Sequence, residues 1–310
     1  MPGEPDKQEL HQDEIRSVLN AYPFGYPSEW KRCSQGYANR NYRVSLDAGD
    51  FLYRICTSQT LENTERETRL NHYLHEQGIP VAPPIARSDG ALISPSPAGP
   101  VVLYPFLEGS TPDYHPENVR VIARAAAQLN QLPCPETLSK TNTVGVGAAH
   151  NFIARTRDHP YPDRFRRFAL AFETLYRDLD HPDDRVLVHG DLFRDNTLFR
   201  GHELVAILDF EEYCLTTRMF EIGVLVNGFC SPENRPDLAL VRVLLASYHA
   251  VSPLTGPEVQ RLPSYARWGA LCMILWHLRC LLDAPDPRKV QAIDGHFERL
   301  SHMKNMPTSL

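Results

Sequence analysis

The chain reads as an α+β protein in two parts, a small antiparallel sheet followed by a mainly helical region. Three observations carry this reading. Residues 33–55 alternate apolar and polar side chains around an Asp47–Ala48–Gly49–Asp50 turn, a β-hairpin pattern. Residues 118–132, 164–179, 219–229, 238–251 and 264–282 carry helix-like apolar patterns. Between them, Val186 to Tyr213 breaks into three short apolar runs punctuated by Gly190 and Gly201–His202. The boundary falls after Leu107, giving residues 1–107 as an N-terminal lobe and 108–310 as a C-terminal lobe.

The elements follow in order. Leu10, Ile15, Val18 and Leu19 predict an amphipathic helix over Gln8–Leu19, followed by a Pro/Gly/aromatic connection through Trp30. Tyr42, Val44 and Leu46 alternate with polar residues into the turn, and Phe51–Ile55 returns. Leu70, Tyr73 and Leu74 form the stripe of a helix over Leu61–Gln77, with Gly78 as its C-cap. Gly78 to Ile85 turns the chain into a further strand pair, and Val101 to Gly109 holds another apolar strand. Val119, Ile122, Ala123, Ala126, Ala127 and Leu129 predict a helix over Asn118–Leu132, ended by Pro133 and Pro135. Residues 133–164 read as irregular, the shaping segment of an acceptor pocket. Arg164–Leu179 is helical, Met219–Phe229 is a buried helix with Asn227 as its polar exception, and Leu238–Val251 and Ser264–Leu282 are helices. The last ten residues read as loose.

Composition excludes several classes. An apolar fraction of 42% and a charged fraction of 23% are those of an ordinary soluble globular protein. A formal charge of -6 gives no broad footprint for nucleic acid, and the basic run Arg155 to Arg167 reads as a solvated helix. Seven scattered cysteines, without a C-x-x-C pair, point to a reducing compartment. The opening MPGEPDKQEL shows no signal peptide, and Gly269 to Leu282 is too short to span a bilayer. The expectation is a cytoplasmic protein without nucleic-acid or membrane partners.

The chemistry concentrates where the central strands stop: Asp191, Arg194, Asp195, Asn196, then Asp209. An acid, an amide five residues on and a second acid closing the next strand form the layout of a phosphoryl-transfer site. An attacking hydroxyl needs a carboxylate to orient it and accept its proton, which suits Asp191. Mg²⁺ prefers oxygen ligands and keeps several waters, which suits Asn196 and Asp209. HGD alone is weak, and Asp and Asn favour any loop. The conjunction of HGD, Asn196 and the Asp209–Phe210 pair after an apolar strand is what carries the reading.

These residues resemble the aminoglycoside phosphotransferase and choline kinase superfamily, whose fold is protein-kinase-like. HGDLFRDNTLF resembles most the homoserine kinase branch, and the likeness continues through Asp209–Phe210 and VNGFC, Val226 to Cys230. The resemblance implies a two-lobed α+β fold, with ATP and Mg²⁺ as cofactors and phosphoryl transfer to the hydroxyl of a small amine or amino acid. Gly36 to Val44 resembles the branch's G-x-x-N-x-N-Y loop, which assigns Asn39 and Asn41 to the nucleotide phosphates. Arg54 lies where such folds carry a phosphate-binding lysine, and arginine can take that task because it stays charged and forked. Related kinases pair that cation with a helix glutamate, assigned to Glu67 with Glu62 and Glu65 as competitors. Val101 to Gly109 resembles the hinge strand. Pro105 has no N–H, so Phe106 or Leu107 would face the adenine edge. Arg194 would stabilise transferred charge or orient the loop.

The chain departs from the wider kinase pattern at three points: Gly190 before Asp191 rather than Arg, Glu211 after Phe210 rather than Gly, and Arg54. Homoserine is the leading acceptor; choline, an amino-sugar antibiotic or hydroxylysine is the alternative. Glu211 or Glu212 would hold an ammonium. Arg279, in a W-x-x-R resembling that of homoserine kinases, would hold a carboxylate bidentately or reach into solvent. Asn227 would line the acceptor site or cap a helix turn. A reading of another class, a catalytically silent kinase-like binding module, draws on Arg54 and Glu211.

Overall fold

The computed structural model describes residues 10–33, 39–179, 185–303 and 306. By its contacts the chain forms two compact units, one up to Glu108 and one from Gly109 onward.

The first unit is built on a four-stranded antiparallel sheet in the order β1-β2-β3-β4, with β1 Glu29–Arg32, β2 Arg40–Leu46, β3 Gly49–Ile55 and β4 Val101–Pro105. The β2–β3 register places Leu46 opposite Gly49 and Asn41 opposite Arg54. Gly49 has φ 123°, so the tight turn uses a glycine's freedom there. Alternation buries Tyr42, Val44, Leu46, Phe51, Tyr53 and Ile55 in one cluster with Ile15, Val18 and Leu19 of helix α1, Gln12–Leu19. The stretch through Trp30, expected as a connection, is the edge strand β1 instead. Trp30 stands opposite Val44 in its ladder with β2. Helix α1 starts at Gln12 rather than Gln8: the His11 N–H donates to Glu14 at 3.4 Å, a capping contact that fixes the start. Gln8 and Glu9 lie outside the described residues.

Helix α2, Leu61–Glu76, has Thr60 as its N-cap. It ends in a Schellman turn: Ile79 N–H donates to Leu74 O and Gly78 N–H to His75 O, with Gly78 at φ 78°. No further strand pair follows. The segment after Gly78 contributes isolated bridges rather than a strand, among them Ser94 to Val101, and its four prolines between residues 80 and 95 cannot donate to a ladder.

The second unit holds the other helices: α3 Pro116–Gln131, α4 Val146–Arg155, α5 Pro162–Glu173, α6 Arg218–Phe229, α7 Leu238–His249, α8 Gly256–Gln260, α9 Leu262–Asp283 and α10 Pro287–His302. Its strands are β5 Val186–Val188, β6 Thr197–Arg200, β7 Glu203–Ile207 and β8 Cys214–Thr216. β6 pairs with β7, while β5 pairs with β8, Val188 opposite Cys214. Helix α6 is buried on every face, as its apolar sequence requires, and packs on α9; α3 packs on α7. One expectation is corrected: the region 133–164 is not irregular throughout, since α4 forms there and buries Ala149 and Phe152 at three-residue spacing. Helix α10 buries Ile293, Phe297 and Leu300 and packs on α9. Of the last ten residues, expected to be loose, Ser301 and His302 close α10 and Met303 and Met306 are buried, and the others lie outside the described residues. Asp286 caps α10 by accepting from Arg288 N–H at 2.9 Å. No described helix is long and apolar enough to cross a membrane.

Candidate active site

The loop after β5 is held by buried polar contacts. Gly190 has φ 83°, and a Cβ there would lie 2.4 Å from the Glu212 carbonyl oxygen, so only glycine fits this crossing. Asp191 follows at once, half-buried. Asn196 Nδ2 donates to Asp191 Oδ2 and to its carbonyl, both at 2.8 Å. The amide nitrogen is thus spent on Asp191, which leaves the Asn196 amide oxygen as the acceptor. Burial pushes the Asp191 carboxyl well above the usual carboxylate range, and the charges of Asp209 and Asp195 push the same way against the Asn196 hydrogen bond.

Asp209 closes β7 with φ 61° and ψ 68°, a left-handed conformation in a non-glycine residue. Such a backbone costs about 1–3 kcal/mol and concentrates at functional sites. The same segment is tied to the loop: Leu208 N–H donates to Asn196 O at 2.9 Å. The three oxygen-bearing residues Asp191, Asn196 and Asp209 are therefore brought together. Asp209 and the Asn196 amide oxygen form a donor set suited to a hard cation, which takes one or two carboxylates and keeps its waters. No cluster of three or more His, Cys, Asp or Glu placed for a metal occurs among the described residues, and Mg²⁺ needs none.

Two residues that sequence reading missed hold this loop. His189 is fully buried; its Nδ1 accepts from Asp191 N–H at 3.2 Å, so its Nε2–H donates to Leu208 O at 2.8 Å. Burial lowers its pKa to about 4, so it is neutral and serves as a strut. Glu221 on α6 is also fully buried and accepts from the N–H groups of His189, at 2.9 Å, and Gly190, at 3.1 Å. Burial raises its pKa to about 7 against these two bonds. The signal was present: Glu221 is the acid inside the apolar run MFEIGVLV.

Arg194 donates to Pro112 O at 2.7 Å and lies over the Tyr114 ring at 3.7 Å, anchoring the loop to the segment before α3. Of the acidic pair, Glu211 receives the Lys140 ammonium on its carbonyl, whereas the Glu212 carboxylate accepts from the Thr143 hydroxyl. Arg279 is exposed, and its Nη1 donates to Thr143 O at 3.0 Å. Thr143 therefore brings Glu212 and Arg279 to one residue, which sequence reading did not single out. Asn227 is fully buried between α6 and α9, where its Nδ2 donates to Gly223 O, one turn back on α6, and to Ala266 O, both at 2.8 Å.

The nucleotide candidates lie in the first unit. Arg54 and Glu67 are 3.6 Å apart with 12% and 5% of their side chains exposed, and Gln59 donates to Glu67 at 2.6 Å. Of the competitors, Glu62 pairs with Arg66 instead, and Glu65 is exposed beside Leu61. Asn39 accepts from Thr57 N–H and Ser58 Oγ, each at 3.0 Å, joining β2's start to the segment after β3. Gly36, Tyr37 and Ala38 of that loop lie outside the described residues. Phe106 N–H donates to Asp50 O at 3.0 Å, so it is taken, and Leu107 remains for an adenine edge.

The sequence profile of the phosphotransferase enzyme family matches residues 29–260. A homoserine kinase of Chelativorans sp. (strain BNC1) is 28% identical over 311 positions, covering 97% of this chain and 96% of its own. A homoserine kinase of Sinorhizobium fredii (strain NBRC 101917 / NGR234) is 27% identical over 286, covering 89% and 87%. In fold, the chain superposes on a microcompartment-associated aminopropanol kinase with TM-score 0.73 at 17% identity, covering 93% of this chain and 95% of that one. The fold is thus the protein-kinase-like α+β fold, and the chain belongs to the phosphotransferase enzyme family as a small-molecule kinase.

Proposed function

We propose that the protein transfers the γ-phosphoryl group of ATP to the side-chain hydroxyl of a small amino acid, with L-homoserine as the preferred acceptor. The observation that carries the reading is the Asp191 carboxylate, held by Asn196 at 2.8 Å beside Asp209. The 28% identity to a homoserine kinase along almost the whole chain supports the acceptor.

In this reading Asp191 orients the acceptor hydroxyl and takes its proton as the oxygen attacks the γ-phosphorus. The new O–P bond forms as the bond from the γ-phosphorus to the bridging oxygen breaks, and ADP leaves. Asp209 and the Asn196 amide oxygen would hold Mg²⁺, whose chemistry there would be to screen the charge on the ATP phosphates. Arg54, fixed by Glu67, holds phosphate oxygens through its forked donors, with Asn39 and Asn41 along the adjoining strand and Leu107 at the adenine edge. Arg194 keeps the loop in register. Glu212 receives the acceptor's ammonium and Arg279 its carboxylate. Catalysis by such a site is positioning and electrostatics.

The test is ADP release with Mg-ATP against L-homoserine, choline, ethanolamine, hydroxylysine and several aminoglycosides, with Asp191→Asn as the blank. Turnover concentrated on L-homoserine is expected. Turnover on choline or an aminoglycoside alone would replace the acceptor and keep the reaction.

A further inference from the structure

The stretch from Leu138 to Val144 is laced to the acidic segment after Asp209 and to α9. Tyr213 OH donates to Leu138 O at 2.8 Å, Leu215 N–H to Lys140 O at 3.3 Å, and Cys272 Sγ to Val144 O at 3.4 Å. Thr143 stands at the crossing. Its hydroxyl donates to Glu212 Oε2, and its carbonyl accepts from Arg279 Nη1 at 3.0 Å. One residue thus holds a carboxylate on one side and a guanidinium on the other.

Among the described residues, no ion pair joins Glu212 or Arg279 to an opposite charge. Glu212 also abuts the loop that carries Asp191, since its carbonyl oxygen lies 2.4 Å from where a Gly190 Cβ would be. An uncompensated anion and cation beside a proton-accepting carboxylate match three groups of one molecule: ammonium, carboxylate and hydroxyl. An amino alcohol satisfies only two of them, and an unsatisfied guanidinium contributes nothing to its binding.

We propose that Thr143 is a positioning residue that holds Glu212 and Arg279 as one reader of ammonium and carboxylate, and so selects hydroxy-α-amino acids over amino alcohols as acceptors. This rests on the amino-acid kinase reading above and names the residue that enforces it. Loss of the hydroxyl frees the Glu212 side chain to rotate, while the Arg279 contact to the main-chain carbonyl survives. The effect therefore falls on binding of the amine end.

The experiment compares wild type, Thr143→Val, Thr143→Ser and Arg279→Met on three acceptors: L-homoserine, 3-aminopropanol, which lacks the carboxylate, and 4-hydroxybutanoate, which lacks the ammonium. Wild type is expected to prefer homoserine over either truncated acceptor by about 100-fold in kcat/KM, less than the roughly 10⁴-fold of a fully buried polar site because Arg279 is exposed and water can pair it. Thr143→Val should raise the homoserine KM about 10-fold with kcat and the ATP KM little changed, the signature of lost ground-state binding. Thr143→Ser should restore it. Arg279→Met, at an exposed position, should bring homoserine down to the level of 3-aminopropanol. A wild-type KM in Thr143→Val overturns the proposal, and so does a loss of kcat equal on all acceptors that Thr143→Ser does not rescue. Equal use of 3-aminopropanol and homoserine by wild type overturns it too, while leaving the phosphotransferase intact. Silence on all three, with turnover on another hydroxyl compound, overturns the amino-acid reading as well.

Discussion

At the scale of single residues, the proposed function separates groups that would touch reactants from groups that hold them still. Asp191, Asn196 and Asp209 were legible in the sequence because each stands where an apolar run stops and their spacing is itself a chemical pattern. Glu221 and Thr143 were not, because their roles come from partners 32 and 69 residues away. Glu221 makes a testable case. Its folded pKa of about 7 lies above that of a free glutamate, so the folded state binds the extra proton and stability falls as pH rises from about 4.5 through 7. Glu221→Gln should remove that fall while keeping one carbonyl acceptor for the loop. Paired pH titrations of unfolding free energy would read the difference, and parallel curves would refute the assignment. Arg54 makes a second case. Arg54→Ala leaves Glu67 buried without its 3.6 Å partner, which should cost roughly 3 kcal/mol and raise the KM for ATP. Arg54→Lys should recover much of both, and an unchanged ATP KM in Arg54→Ala would remove Arg54 from the nucleotide site.

At the scale of elements, the loop after β5 depends on one backbone position. Gly190→Ala would put a methyl 2.4 Å from the Glu212 carbonyl at φ 83°, so the loop must shift. Displacement of about 1 Å near Asp191 is expected to lower kcat on the order of 100-fold. Wild-type kcat in this variant would mean the loop is not under that constraint. Helices α9 and α10 offer a second prediction. His277 and His296 stack at 5.1 Å, and burial lowers their pKa values to about 4 and about 3. Lys289 and Asp286 face His277, and Arg299 faces His296. Both histidines stay neutral in the fold below pH 6.5 while the unfolded chain takes protons, so stability falls as pH drops from about 6.5 toward 4. His296→Phe should flatten that limb in a thermal-shift series from pH 7 to 4. Helix α10 escaped sequence reading although Asp286–Pro287 and the Ile293, Phe297, Leu300 spacing mark it. The pairing of β5 with β8 had no local signal, because three-residue strands carry too little pattern to fix a partner.

At the scale of the whole molecule, the α+β organisation was legible because hairpin alternation and helical periodicity occupy different stretches of the chain. The family match over residues 29–260 spans both units. A formal charge of -6 leaves no general attraction for polyanions, so in the proposed function anion recognition falls to particular guanidiniums, Arg54 for phosphates and Arg279 for an acceptor carboxylate. Buried His189 ties the Asp191 backbone to Leu208, which holds the two ends of the candidate site to one another.

The central claim is phosphoryl transfer to an amino-acid hydroxyl with Asp191 as the proton acceptor. The most direct measurement is the steady-state rate of ADP formation from Mg-ATP and L-homoserine, with product phosphate located by ³¹P NMR, in wild type and Asp191→Asn. The account predicts O-phosphohomoserine from wild type and a kcat lower by about 10³-fold in Asp191→Asn, the scale of a lost general base, with unfolding still cooperative. A near-normal kcat in Asp191→Asn, or no phosphorylated homoserine from wild type, would contradict it.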